Sequence, residues 1–197
     1  LEAADLAAAA PAGLGGTGAL VLAFAASFLA LEVISRRGRV SGTGDVARKR
    51  MIALFIAAGI GVHNLGEGLA IGSAYASGEA ALGTLLVLGF MIHNVTEGVA
   101  IVAPVAKVGA GIGRLVGMGL LAGAPAILGT WLGAYAYSAF WGVVFFAVGA
   151  GAIFQVLLEI LRYMAKGDLG SLATVGNAGG LVAGVAIMYA TGLFVAA

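Results

Sequence analysis

Long apolar runs, broken by short polar or basic segments, set the plan of this chain. Six runs approach the roughly 20 mostly apolar residues that a membrane-spanning helix requires. They cover about 14–34, 51–75, 80–103, 115–137, 140–161 and 173–197. The breaks at 76–79 and 138–139 are very short, so the helices flanking each must be antiparallel neighbours. The expectation is an all-α, polytopic transmembrane bundle forming one domain over 1–197. Proline lacks the N–H that a helix interior uses, so Pro104 is expected to end the third helix and Pro125 to kink the fourth.

Charge orients the bundle. Arg36, Arg37, Arg39, Arg48, Lys49 and Arg50 lie in a basic loop, 36–50, between the first two runs. Lys107 and Arg114 separate the third and fourth, and Arg162 and Lys166 the fifth and sixth. These are all ten Lys and Arg of the chain, and they fall on alternate connections. Basic residues accumulate on the cytoplasmic side, which puts both termini outside and the protein, multi-pass, in the cell (inner) membrane. Trp131, Tyr135, Tyr137 and Trp141 cluster near the opposite boundary, as an interfacial aromatic belt would.

Composition narrows the class further. The chain is 61% hydrophobic, with a mean hydropathy of +1.09, and only 10% charged. Soluble domains carry about 25% charged residues, so a water-facing surface cannot be covered. The 34 glycines have no collagen period and suit close helix packing in a membrane. With no cysteine, disulfides and thiolate metal ligation are excluded. Residues 1–11 are Ala-rich and acidic, with no basic residue; this makes a poor signal peptide and reads as a short tail or truncated loop.

One six-residue pattern occurs twice. The second run contains His63-Asn64-Leu65-Gly66-Glu67-Gly68 and the third His93-Asn94-Val95-Thr96-Glu97-Gly98, and these use both histidines of the chain. Four residues separate each His from its Glu, so both side chains lie on one helix face, a turn apart. Asn64 and Asn94, three residues before the same Glu, come within reach of a neighbouring ligand position. With the two helices antiparallel and each motif near mid-span, the copies form an inverted pair, a known way to build a transport site. Gly68 and Gly98 are expected to let these two helices pack closely enough to share one ion.

Energetics favour a functional reading of this pair. A charged residue at mid-membrane costs at least about 2.5 kcal/mol, and two facing carboxylates cost more unless a proton or cation compensates them. Imidazole, carboxylate and amide oxygen together suit Zn first, and also Fe, Mn, Cd or Co. The alternative is that the His–Glu pairs are structural, hydrogen-bonded between helices; repetition of the whole pattern favours metal. Glu159, with Gln155 on the same face, is a candidate for an exit path or, equally, snorkels and pairs with Arg162. Glu32 is expected to be a solvated helix end.

The doubled motif resembles the ZIP (Zrt/Irt-like) family of divalent metal transporters, bacterial branch, whose fourth and fifth helices carry such segments. The resemblance implies that this chain matches helices three to eight, with the family's first two helices lying outside it. It implies a metal centre in which His63, Glu67, His93 and Glu97 hold the primary ion. Asn64 and Asn94, with the two Glu shared, would face a second position, and Glu159 falls where many members have acidic residues near the cytoplasmic exit. Where the family often has Glu before Pro in the sixth helix, this chain has Ala124-Pro125, which favours one ion over two. The 36–50 segment lacks the histidines common in eukaryotic members.

The expected function is transport of divalent metal into the cytoplasm by alternating access, with metal ions and the lipid bilayer as partners. A homodimer is compatible with this, and nucleic acid is not an expected partner. No Walker motif is present, so ATP hydrolysis would not drive it. The rival readings are a membrane metalloenzyme and a metal-binding membrane protein without transport. No His-Glu-x-x-His segment occurs, and the ligands are too few for a di-iron bundle, so the chain is expected not to be an enzyme.

Overall fold

The structure is a computed structural model that describes residues 16–41, 44–135 and 138–196. The expected acidic tail at 1–11 and Tyr137 lie outside the described residues. Six helices account for nearly all the rest: α1 (Gly16–Ser41), α2 (Asp45–Ala76), α3 (Ala80–Val102), α4 (Ile112–Tyr135), α5 (Ala139–Ala165) and α6 (Val175–Ala196). Short 3-10 turns follow α3 (Ala103–Val105) and precede α6 (Leu169–Leu172). All six helices are long and apolar enough to cross a membrane. The chain is an all-α polytopic membrane bundle.

The boundaries follow from local chemistry. Pro104 sits at the start of the 3-10 turn that closes α3, so it ends that helix as expected. Ser138 caps α5 by accepting from the Trp141 N–H at 3.3 Å. Lys166 turns left-handed (φ 48°) to end the same helix. The basic segment 36–50 proves to be helix more than loop: α1 runs on to Ser41 and α2 begins at Asp45. Apolar scanning stops at the first arginines, whereas a helix needs only backbone hydrogen bonds and tolerates basic residues at its ends.

The second helix is the centre of the molecule. Two-thirds of its spanning window is buried (67%), against 6% for α1 and α6. Its partners are mainly α4, which runs parallel to it, and α5, which runs antiparallel. The α2–α4 seam is built on backbone contact: Gly61 lies on Leu121 O, Gly68 on Ala126 O and Gly72 on Thr130 O, while Gly129 and Gly133 return the approach against Leu65 O and Leu69 O. Small residues four apart allow such proximity, and dispersion between the backbones then holds the helices together. The apolar cluster at the basic end adds Ile52, Ile56, Ile60, Ile101, Val105, Met118 and Val156.

The pairing of α1 with α5 uses different means. Gly151 admits the Phe24 backbone, Phe24 and Phe28 pack on the Phe154 ring, and Ser27 Oγ donates to Val148 O at 2.8 Å. Toward the basic end the contact becomes ionic. Glu32 accepts from Arg36 at 2.6 Å and from Arg162 at 2.7 Å, while Ser35 Oγ donates to Glu159 at 2.8 Å. Glu32 is therefore buried, at 5% exposure, and not a solvated helix end. Arg162, three residues from Glu159, reaches across to Glu32 on α1.

Candidate metal centre

The tight turn between α2 and α3 places the motifs in register. His63 lies fourteen residues before Ser77, and His93 fourteen after Glu79. At 1.5 Å rise per residue, both histidines stand about 21 Å from that turn, with Glu67 about 15 Å and Glu97 about 27 Å from it. Side chains lean toward the N-terminus of their own helix, so those of antiparallel neighbours lean toward each other. Glu67 leans toward the basic side and His93 toward the turn, and they meet: His93 Nε2 and Glu67 Oε1 are hydrogen-bonded. His63 Nε2 is 3.4 Å from the same oxygen. Glu97 approaches the histidine level from the opposite side. Both motifs lie just past the middle of their spans, Asp45–Ala76 and Ala80–Val105.

Four motif side chains, His63, Glu67, His93 and Glu97, line one cavity of about 480 Å³. Phe90, Phe146 and Ile153 form its apolar walls, and the Phe90 ring meets the His93 ring edge-on, centroids 5.3 Å apart. Such walls lower the local dielectric and strengthen any charge interaction inside. His63 is backed by Gly149 of α5, where even a Cβ would only touch the ring at ordinary van der Waals distance.

The asparagines are placed differently from the histidines. Asn64, 3% exposed, turns to α4 and donates through Nδ2 to Ala122 O at 3.1 Å. Pro125 is what loosens α4 there, because its ring nitrogen cannot bond Leu121 O; Gly61 packs against that same carbonyl. Three motif acceptors, Asn64 Oδ1, Asn94 Oδ1 and Glu97 Oε2, are buried without a hydrogen-bond partner among the described residues. Each such group costs about 1–3 kcal/mol, which is a reason to look for a cation as their counterpart.

Among the described residues, no three His, Asp or Glu side chains already stand at metal-ligand geometry. Glu67 is engaged with the two histidines, and Glu97 lines the same cavity. Ala124 is exposed on α4, so nothing at that position reaches the motifs. Gln155 (1% exposed) and Glu159 (2%) belong to the α1–α5 seam with Ser35 and Glu32. Glu32 is the member of that cluster that sequence reasoning set aside. Its i, i+4 spacing to Arg36 was visible, but the partner on α5 is 130 residues away.

The glycine expectation needs correction. Gly68 packs on α4, not on α3, and Gly98 has open space where a Cβ would stand. Neither brings α2 and α3 together; the short turn and the His93–Glu67 bond do that. Comparison with protein-family models, with curated proteins and with solved structures returns no match.

Proposed function

We propose that this protein carries divalent metal ions across the membrane through the cavity between α2, α3 and α5, in the manner of a ZIP-like transporter. The observation that carries the reading is the convergence of His63, Glu67, His93 and Glu97 on one apolar-walled cavity. Buried motif oxygens lacking partners support it. Imidazole and carboxylate donors favour zinc, with iron, manganese, cadmium and cobalt chemically acceptable. The ion, as substrate, would take Glu67 from its histidines and draw in Glu97, so that binding releases protons and depends on pH. With the basic end taken as cytoplasmic, import into the cell across the inner membrane is the direction proposed. The Glu159–Gln155 cluster is assigned to the cytoplasmic exit.

The test is radiometal uptake into vesicles containing the purified chain, wild type against Glu67→Ala and Glu97→Ala. Flux in the wild type and its loss in both variants is the expected result. Equal flux in all three overturns the site, whereas metal binding without flux favours a metal-holding membrane protein.

A further inference from the structure

The cavity faced by both motifs has one more wall, supplied by Met188 of α6. The chain contains five methionines and no cysteine, so any sulfur donor here has to be a thioether. Met118 is enclosed in the apolar core at 7% exposure. Met91 lines a separate apolar cavity with Thr191, and neither Met51 nor Met164 is part of the motif cavity. Met188 is the one sulfur among the residues lining it.

We propose that Met188 is a metal ligand of this site and biases the transported ions toward thiophilic members, cadmium and zinc, against oxygen-preferring manganese. The inference rests on the metal-transport reading and names its substrate class. A thioether is soft and polarizable, and soft donors select soft or borderline ions. It is also neutral, so it adds a donor without adding to the charge of two intramembrane carboxylates and without a proton to lose. Methionine is unbranched, with three rotatable bonds, so it can adjust its reach as an ion arrives. Met188 has that freedom: it is half exposed (50%), on a helix whose spanning window is only 6% buried.

The experiment is cadmium X-ray absorption on the purified chain in detergent, comparing wild type, Met188→Leu and Met91→Leu. Leucine keeps the volume nearly constant. A sulfur shell in wild type and Met91→Leu, lost in Met188→Leu while the nitrogen and oxygen shell stays, is the expected result. The cadmium-to-manganese uptake ratio should fall several-fold in the same variant. A wild-type spectrum of nitrogen and oxygen alone overturns the Met188 role and leaves the transport reading standing. Failure of the wild type to bind cadmium overturns the Met188 proposal, and failure to bind zinc as well overturns the transport reading itself. Should Met188→Leu not fold, the selenium edge of the selenomethionine-labelled wild type decides without any substitution. A cadmium neighbour supports the ligand, and its absence overturns it.

Discussion

The two copies of His-Asn-x-x-Glu-Gly share one pattern but are employed differently. In the first copy, Asn64 and Glu67 are buried at 3% and 7%, and Gly68 lies against the Ala126 backbone. In the second, His93 alone is buried (8%); Asn94 and Glu97 are half-buried, and an added Cβ at Gly98 meets nothing within 4 Å. Copy one therefore joins α2 to α4 while also offering donors to the cavity. Copy two offers donors and ties α3 to α2 through the His93–Glu67 bond alone. Identical letters at identical spacing set which face of a helix a side chain occupies, and the neighbour packed on that face decides what it does.

The glycines provide the largest contrast. At Gly68 a methyl would collide with the O, C and Cα of Ala126, all backbone atoms with no rotamer to yield. Forcing α2 and α4 apart would cost about 1–3 kcal/mol, as overpacking does, and more where backbone is the obstacle. Gly68→Ala should thus sharply lower the apparent melting temperature in detergent. Gly98→Ala should leave it unchanged or slightly raised, since alanine is the better helix former by about 1 kcal/mol. Equal effects of the two substitutions would erase the distinction drawn between the copies.

This contrast also marks where reading the sequence stops. Hydropathy found all six helices, because a bilayer demands a run of apolar residues whatever packs against them. The short 76–79 break showed that α2 and α3 are antiparallel, and with it that the two motifs face each other. Pro104 ended its helix for a reason local to its own ring. The parallel α2–α4 seam was not legible, because glycines on several helices compete to pair and only the assembled bundle selects among them. Glu32 was misread for a related reason: its partner Arg162 is close in space and remote in sequence.

The glutamates separate stability from function. Glu67 accepts from His93 and stands 3.4 Å from His63, so Glu67→Ala strands the buried His93 ring and should destabilise the fold by about 1–3 kcal/mol. Glu97 contributes a buried oxygen, Oε2, without a partner; its removal relieves a desolvation cost instead of creating one. Glu97→Ala should melt within a degree or two of wild type, about 0.5 kcal/mol either way, and yet lose metal flux as fully as Glu67→Ala. Denaturant titration alongside the uptake assay measures both. A Glu97 variant that unfolds easily would place that residue in the scaffold and remove the asymmetry.

The asparagines carry the smallest difference and the most local test. Asn64 Nδ2 donates to Ala122 O, in the turn where Pro125 has already removed one helical donor from α4. Asn64→Ala leaves that stretch without its side-chain bond, at a cost of about 1 kcal/mol. Asn94 makes no such bridge: its Oδ1 is buried without a partner, and Asn94→Ala should change stability by less than about 0.5 kcal/mol. Hydrogen exchange can localise the effect, because faster exchange in Asn64→Ala should appear in α4 around residue 126, whose N–H pairs with Ala122 O in a regular helix. Faster exchange confined to α2 instead would mean that Asn64 supports its own helix and that the tie to α4 contributes nothing.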